Sequence, residues 1–226
     1  MINNNIFIGL TRPFRFLKPE RSFYLLVFFL GFQFITQAQN KSHETINADG
    51  IFNIEINGND IFKIKIETSE SENIVIKSLN DGEYQNHYAI STKIILGQLN
   101  ISLNQLPFTT IADDKRNAHK VVAASLSVII PKDLNVSISS DIASVEAIGD
   151  FKNLVVELKS GSCSVDGTAD FGTIHSFDGD IIIKTRKADI NAKSNNGIIS
   201  IAQFDVANSF WKLQSINGNI TVTKQD

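Results

Sequence analysis

Side chains able to do chemistry are sparse in this 226-residue chain, and each has a plain structural use to set against it. Ser160, Ser176, Ser194 and Ser215 recur at similar places, and one of them could serve as a nucleophile. The adjacent imidazole, His175, alternates to the opposite side of a strand from Ser176, and no Gly-x-Ser-x-Gly elbow is present, so the serines read as a structural ladder. Cys163, in "SGSCSV", is the only cysteine. It falls in register with Ile181, Ile199 and Ile220, which makes it a core residue rather than a thiol nucleophile. His43, His87, His119 and His175 show no metal-ligand spacing with one another or with Cys163. Asp166, Asp170, Asp178, Asp180 and Asp189 invite a calcium or glycosidase reading, yet they do not recur at one position and read as turn and solvation residues. No catalytic residue, metal ligand or cofactor is expected.

Two binding candidates remain. The densest charge cluster is "ADDKRNAHK", which holds Asp113, Asp114, Lys115, Arg116 and His119 in a long polar connection, the kind of segment where binding residues concentrate. Lys159, His175, Lys193 and, diagonally, Lys212 would line one outward column, a mild basic stripe suited to an anionic glycan. Solvated lysines that discourage edge pairing are the alternative reading of that column.

The elements that must position these side chains come from a repeat. Gly161, Gly179, Gly197 and Gly218 each follow Ser, Asp or Asn and precede an alternating strand: "SGSCSV", "DGDIII", "NGIISI", "NGNITV". A degenerate copy sits at "SDIASV". With a turn two residues shorter in the first copy, the preceding strands align in columns. These are Val156, Gly172, Ile190 and Trp211, then Leu158, Ile174, Ala192 and Leu213, then the four serines. After the glycine come Cys163, Ile181, Ile199 and Ile220, then Val165, Ile183, Ile201 and Val222. Alternation puts these columns on one face, so they form the predicted core.

Like residues in columns favour a β-solenoid, in which each strand pairs in parallel with its counterpart one repeat later and "SINGNITV" stacks on "NGIISI". A meander of hairpins is the alternative, because Asn-Gly closes many tight hairpins. On the solenoid reading the four glycines are structural corner residues and Phe210 and Trp211 close the last coil. Residues 44–135 lack the period and read as an irregular strand-rich N-terminal cap, with residues 136–226 as the solenoid repeats. The expected fold is therefore all-β, a single-stranded, β-helix-like solenoid with that cap.

Residues 1–38 stand apart. Arg12, Arg15, Lys18 and Arg21 lead into the uncharged run Ser22 to Ile35 and a small-residue exit near Ala38, the pattern of a secretory signal peptide; a retained N-terminal anchor is the alternative. Cleavage would take the net charge from −3 to −6, which disfavours nucleic acid as a partner. The expected location is exported: periplasm, outer surface or secreted. A lone cysteine there leaves apolar burial and backbone pairing to hold the fold.

The leader, the strand-rich opening, "SVIIPKDLNVSISSDIASVEAIG" and the repeated Gly-x-Ile-x-Ile/Val corner together resemble the exported bacterial β-strand-repeat proteins of unknown function labelled "putative adhesin". The similarity spans Glu44 to Lys224. It implies a β-helix-like fold in a cell-envelope or secreted protein, and it carries over no catalytic residues. The expected function is a non-enzymatic envelope or surface module whose partner is an envelope protein or a glycan. A β-helix enzyme acting on polysaccharide is the alternative, and an envelope scaffold or sensor accessory is a third reading.

Overall fold

Alternating β-branched and polar residues, bounded by Gly, Asn, Asp and Ser, form fifteen strands in the computed structural model, and no helix occurs among the described residues. The described residues are 40–81, 88–106 and 123–225. The leader, His87 and the cluster of Asp113, Asp114, Lys115, Arg116 and His119 lie outside them.

In chain order the strands are β1 (Asn40–Asn47), β2 (Asn53–Asn57), β3 (Lys63–Ser69), β4 (Asn73–Asp81), β5 (Tyr88–Ile95), β6 (Gln98–Gln105), β7 (Ala123–Pro131) and β8 (Asn135–Ser140). They continue with β9 (Ser144–Ser160), β10 (Cys163–Asp178), β11 (Ile181–Thr185), β12 (Ala188–Ser194), β13 (Ile199–Ile201), β14 (Ser209–Ser215) and β15 (Ile220–Lys224). All belong to one open sheet made of two runs. The first run is β5-β6-β2-β8-β9-β10-β14-β12, and the second is β1-β4-β7-β3-β9-β10-β11-β15-β13. The long strands β9 and β10 serve both, their second halves in the first run and their first halves in the second. Among the described residues, the pairings of β1 with β4, β4 with β7, and β5 with β6 are antiparallel and the others parallel.

The chain thus advances in rungs, one strand per run, joined at corners. β2 turns at Gly58 into β3, β9 at Gly161 into β10, and β10 at Gly179 into β11. The columns after the glycine hold as expected: Cys163 pairs with Ile181, Ile181 with Ile220, and Ile220 with Ile199. No hairpin forms at Asn217-Gly218, since Leu213 pairs with Ile174 and Ala192, and Ile220 with Ile181 and Ile199.

Three expectations need correction. The rung β14–β15 does not follow β12–β13 in space but lies between it and β10–β11, so Ile199 and Ile201 sit on the terminal rung, each 40% exposed, rather than in the core. For the same reason Trp211 is an interior residue, in register with Gly172, where a side chain would collide with its indole. Second, the first copy has no shortened turn before its glycine. Leu154 pairs with Gly172, Val156 with Ile174, and Leu158 with Ser176, so the column reads Ser140, Leu158, Ser176, Ser215 and Ser194, and Ser160 pairs with Asp178 instead. Third, the N-terminal strands are not irregular: β2 pairs in parallel with β6 and β8, and β3 with β7 and β9, extending the same stacking.

Both runs bury their inward residues in one apolar cluster from Ile51 to Val222. The corners are closed by hydroxyl and amide groups. Ser215 Oγ accepts from the Gly218 amide (2.8 Å) and Ser194 Oγ from the Gly197 amide (2.9 Å), while Ser194 Oγ donates to the Gly218 carbonyl of the next rung (2.9 Å). Outside them, Asn196, Asn217 and Asp178 form a ladder of side-chain hydrogen bonds from rung to rung. Glycine is needed here for close approach: a Cβ on Gly218 would be driven into the Gly179 carbonyl, and one on Gly179 into that of Gly161. Gly161 also adopts a left-handed φ of 98°.

Candidate functional site

Beside these corners, on the outer side of the first run, lies a groove of about 570 Å³. Each strand contributes the residues flanking its inward serine or leucine: Asp141 after β8, Glu157 and Lys159 on β9, His175 and Phe177 on β10, Gln214 and Ile216 on and after β14. Alternation turns Leu158, Ser176 and Ser215 into the core and leaves these neighbours facing outward. The insertion of β14 decides the groove's chemistry. Gln214 pairs with His175, whereas stacking in sequence order would have put Lys193 there.

One register row therefore reads Glu157, His175, Gln214, Lys193. The next begins with Asp141 and Lys159, joined by an ion pair of 2.9 Å, and continues to Phe177 and Ile216. His175 Nε2 and Ser176 Oγ are buried with no hydrogen-bond partner among the described residues. Phe177 is 55% exposed and lines the groove. An exposed aromatic plane, two carboxylates, an amide, an imidazole and an ammonium suit a ligand with an apolar face and several hydroxyls.

The expected basic stripe is not one column. Lys159 and His175 border the groove, Lys193 lies one strand beyond Gln214, and Lys212 belongs to another row, with Thr173 and Asn191. Phe210 stacks on Phe171 with ring centroids 5.8 Å apart, on the outside of the same run. Sequence reasoning missed Glu157, Phe177, Gln214 and Ile216. The signal was present, since Phe177 and Ile216 each follow a corner serine, but which rungs adjoin is not written in the repeat.

Cys163 is fully buried, and burial pushes its thiol up to about 12, so it is held protonated as a core residue. Among the described residues, no three His, Cys, Asp or Glu side chains are grouped to hold a metal ion.

No family model matches the chain, and no curated protein matches it. Solved structures do. A "putative cell adhesion protein" from Clostridium sporogenes is similar over 83% of this chain and 100% of its own, at 12% identity and a TM-score of 0.59, a likeness of fold. A "putative adhesin" from Bacteroides fragilis matches over 83% of this chain and 98% of its own, at 10% identity and a TM-score of 0.35. Another "putative adhesin", from Parabacteroides merdae, covers 84% and 98%, at 11% identity and a TM-score of 0.28.

Proposed function

We propose that this chain is an exported, non-enzymatic β-solenoid module of the cell envelope or surface, which binds a glycan in the groove at its corners. The fold-level likeness to a protein named for cell adhesion supports a surface role. The observation that carries the glycan is Phe177, half exposed beside Glu157, His175, Gln214 and the Asp141–Lys159 pair. A sugar ring laid on Phe177 would meet hydrogen-bonding groups on three strands, held in place by the parallel ladder beneath them. Retention on beads coated with envelope polysaccharide tests this. Phe177→Ala is expected to weaken retention about tenfold, a loss of roughly 1.4 kcal/mol, with an unchanged melting temperature; equal retention of the two proteins would reject the site.

A second reading has one observation in its favour: Asp141, Glu157, Lys159 and His175 border a single groove, as a polysaccharide-cleaving site would require. Release of reducing ends from the bound polysaccharide, lost in Glu157→Gln with binding retained, would replace the binding module with an enzyme.

A further inference from the structure

A second groove of about 570 Å³ lies on the outer side of the other run, across β1, β4, β7 and β3, and shares no residue with the first. It is built from two rows that run perpendicular to the strands. One row reads His43, Lys77, Ser127, Lys65, and the adjacent row ends in Leu79, Ser125, Lys63. Strand pairing fixes these neighbours, so four nitrogen-bearing side chains and two hydroxyls from four strands line one trough on a chain whose formal charge is negative.

The charges are not all neutralised. Lys63 pairs with Glu146 at 3.2 Å and Lys65 with Glu67 at 3.4 Å, at the side of the groove nearest β9. Lys77, in the middle, has no ion-pair partner among the described residues. Among the described residues, His43 bonds the hydroxyl of Thr45, at 3.1 Å. The cations are spread along the trough instead of converging on one point: His43 and Lys77 are paired neighbours, Lys65 lies two strand spacings (about 10 Å) beyond Lys77 with Ser127 between, and Lys63 follows two residues away on β3. That arrangement suits an extended ligand with repeated negative charges. The hydroxyls of Ser127, between Lys77 and Lys65, and of Ser125, beside Lys63, suit a ligand that itself carries hydroxyls.

We propose that this trough binds an acidic polysaccharide of the polyuronate class, with its carboxylates on Lys77, Lys65 and Lys63 and its hydroxyls at Ser125 and Ser127. The site is independent of the corner groove and stands or falls separately from it. Nucleic acid, the other common polyanion, would need denser phosphate neutralisation than three lysines beside two glutamates provide.

The test is retention of the full chain on polygalacturonate beads, with neutral dextran beads and single-stranded DNA cellulose as further arms. Wild-type protein should bind polygalacturonate at about 20 mM salt, elute near 0.3 M as screening shortens the range of the charges, and pass through the other two. Lys63→Ser with Lys65→Ser and Lys77→Ser should lower retention at least about tenfold. Lys77→Ser alone, which leaves no carboxylate unpaired, should lower it about threefold, roughly 0.65 kcal/mol and within the range of one exposed charge contact. Lys93→Ser with Lys152→Ser and Lys212→Ser makes the same change in net charge at exposed positions outside both grooves and should leave retention unchanged. Equal losses in the two triple variants, no retention of wild type, or stronger retention on DNA would each overturn the proposal.

Discussion

The rungs β2–β3 and β14–β15 are both placed out of chain order, the first between β6–β7 and β8–β9, the second between β10–β11 and β12–β13, yet they are held differently. In β2–β3 the apolar columns dominate: Ile54, Ile56, Ile64 and Ile66 are all buried, and a ladder of Asn53, Asn135 and Asn153 runs along the edge of the row. In β14–β15 the backbones themselves touch at the corner, glycine against carbonyl, with Ser215 and Asn217 bonded around them. Corners packed backbone to backbone need glycine and so leave a mark in the sequence. Apolar columns tolerate several residue types and leave much less.

That difference can be broken at the glycines. Gly218→Ala lies on an interior rung and would force a Cβ into the Gly179 carbonyl, with rungs on both sides to prevent relief. It is expected to cost roughly 3 kcal/mol or more. Gly197→Ala makes the same collision, with the Gly218 carbonyl, but on the terminal rung, which can lift away at about 1 kcal/mol. Denaturant melts of the two variants give the ratio, and equal losses would contradict the inserted order.

Apolar truncation sharpens the same contrast less severely. Ile220→Ala removes a fully buried side chain between Ile181 and Ile199 and should cost about 3 kcal/mol, whereas Ile199→Ala, at 40% exposure, should cost about 1 kcal/mol. Ile199 was expected from the repeat to be as buried as Ile220. Its column is right, because a run of like residues satisfies the pairing whichever of the last two rungs lies inside. Its depth is not encoded there, since depth depends on neighbours that the spacing does not name.

Other parts of the fold were legible to different degrees. Strand alternation and the columns after the glycine are local and survive intact. The column before it slipped by two residues because Ser160 resembles Ser176 in type, while the pairing partner of Ser176 is Leu158. The Asn-Gly at 217–218 carries the strongest hairpin signal and makes none, whereas Leu96-Gly97, with φ of 49° and 78°, closes the two-residue hairpin between β5 and β6. The corner groove was half legible: Lys159 and His175 belong to it, but Gln214 and Ile216 enter only through rung order.

The smallest contrast between two proteins comes from Cys163, in the column shared by Val145 and Ile181. Its folded value, near 12, lies above the unfolded value of 9.0, so the fold favours the neutral thiol. That contribution is complete below about pH 9 and is lost as pH rises toward 12. Against Cys163→Val, the wild type should lose about 1.4 kcal/mol more on going from pH 7 to about 10. Parallel pH dependence of the two proteins would mean that the column is open to water.

Rung order itself is the claim on which the corner groove depends, and cysteine pairs on the outward row Ile182, Thr221 and Ser200 read it directly. In a Cys163→Val background, Ile182→Cys with Thr221→Cys should oxidise to a disulfide, since these residues are paired neighbours on β11 and β15. Thr221→Cys with Ser200→Cys, adjacent in either order, should oxidise as well. Ile182→Cys with Ser200→Cys should stay reduced, two strand spacings apart; a ready disulfide there, with none between 182 and 221, would restore sequence order and put Lys193 in place of Gln214 beside His175.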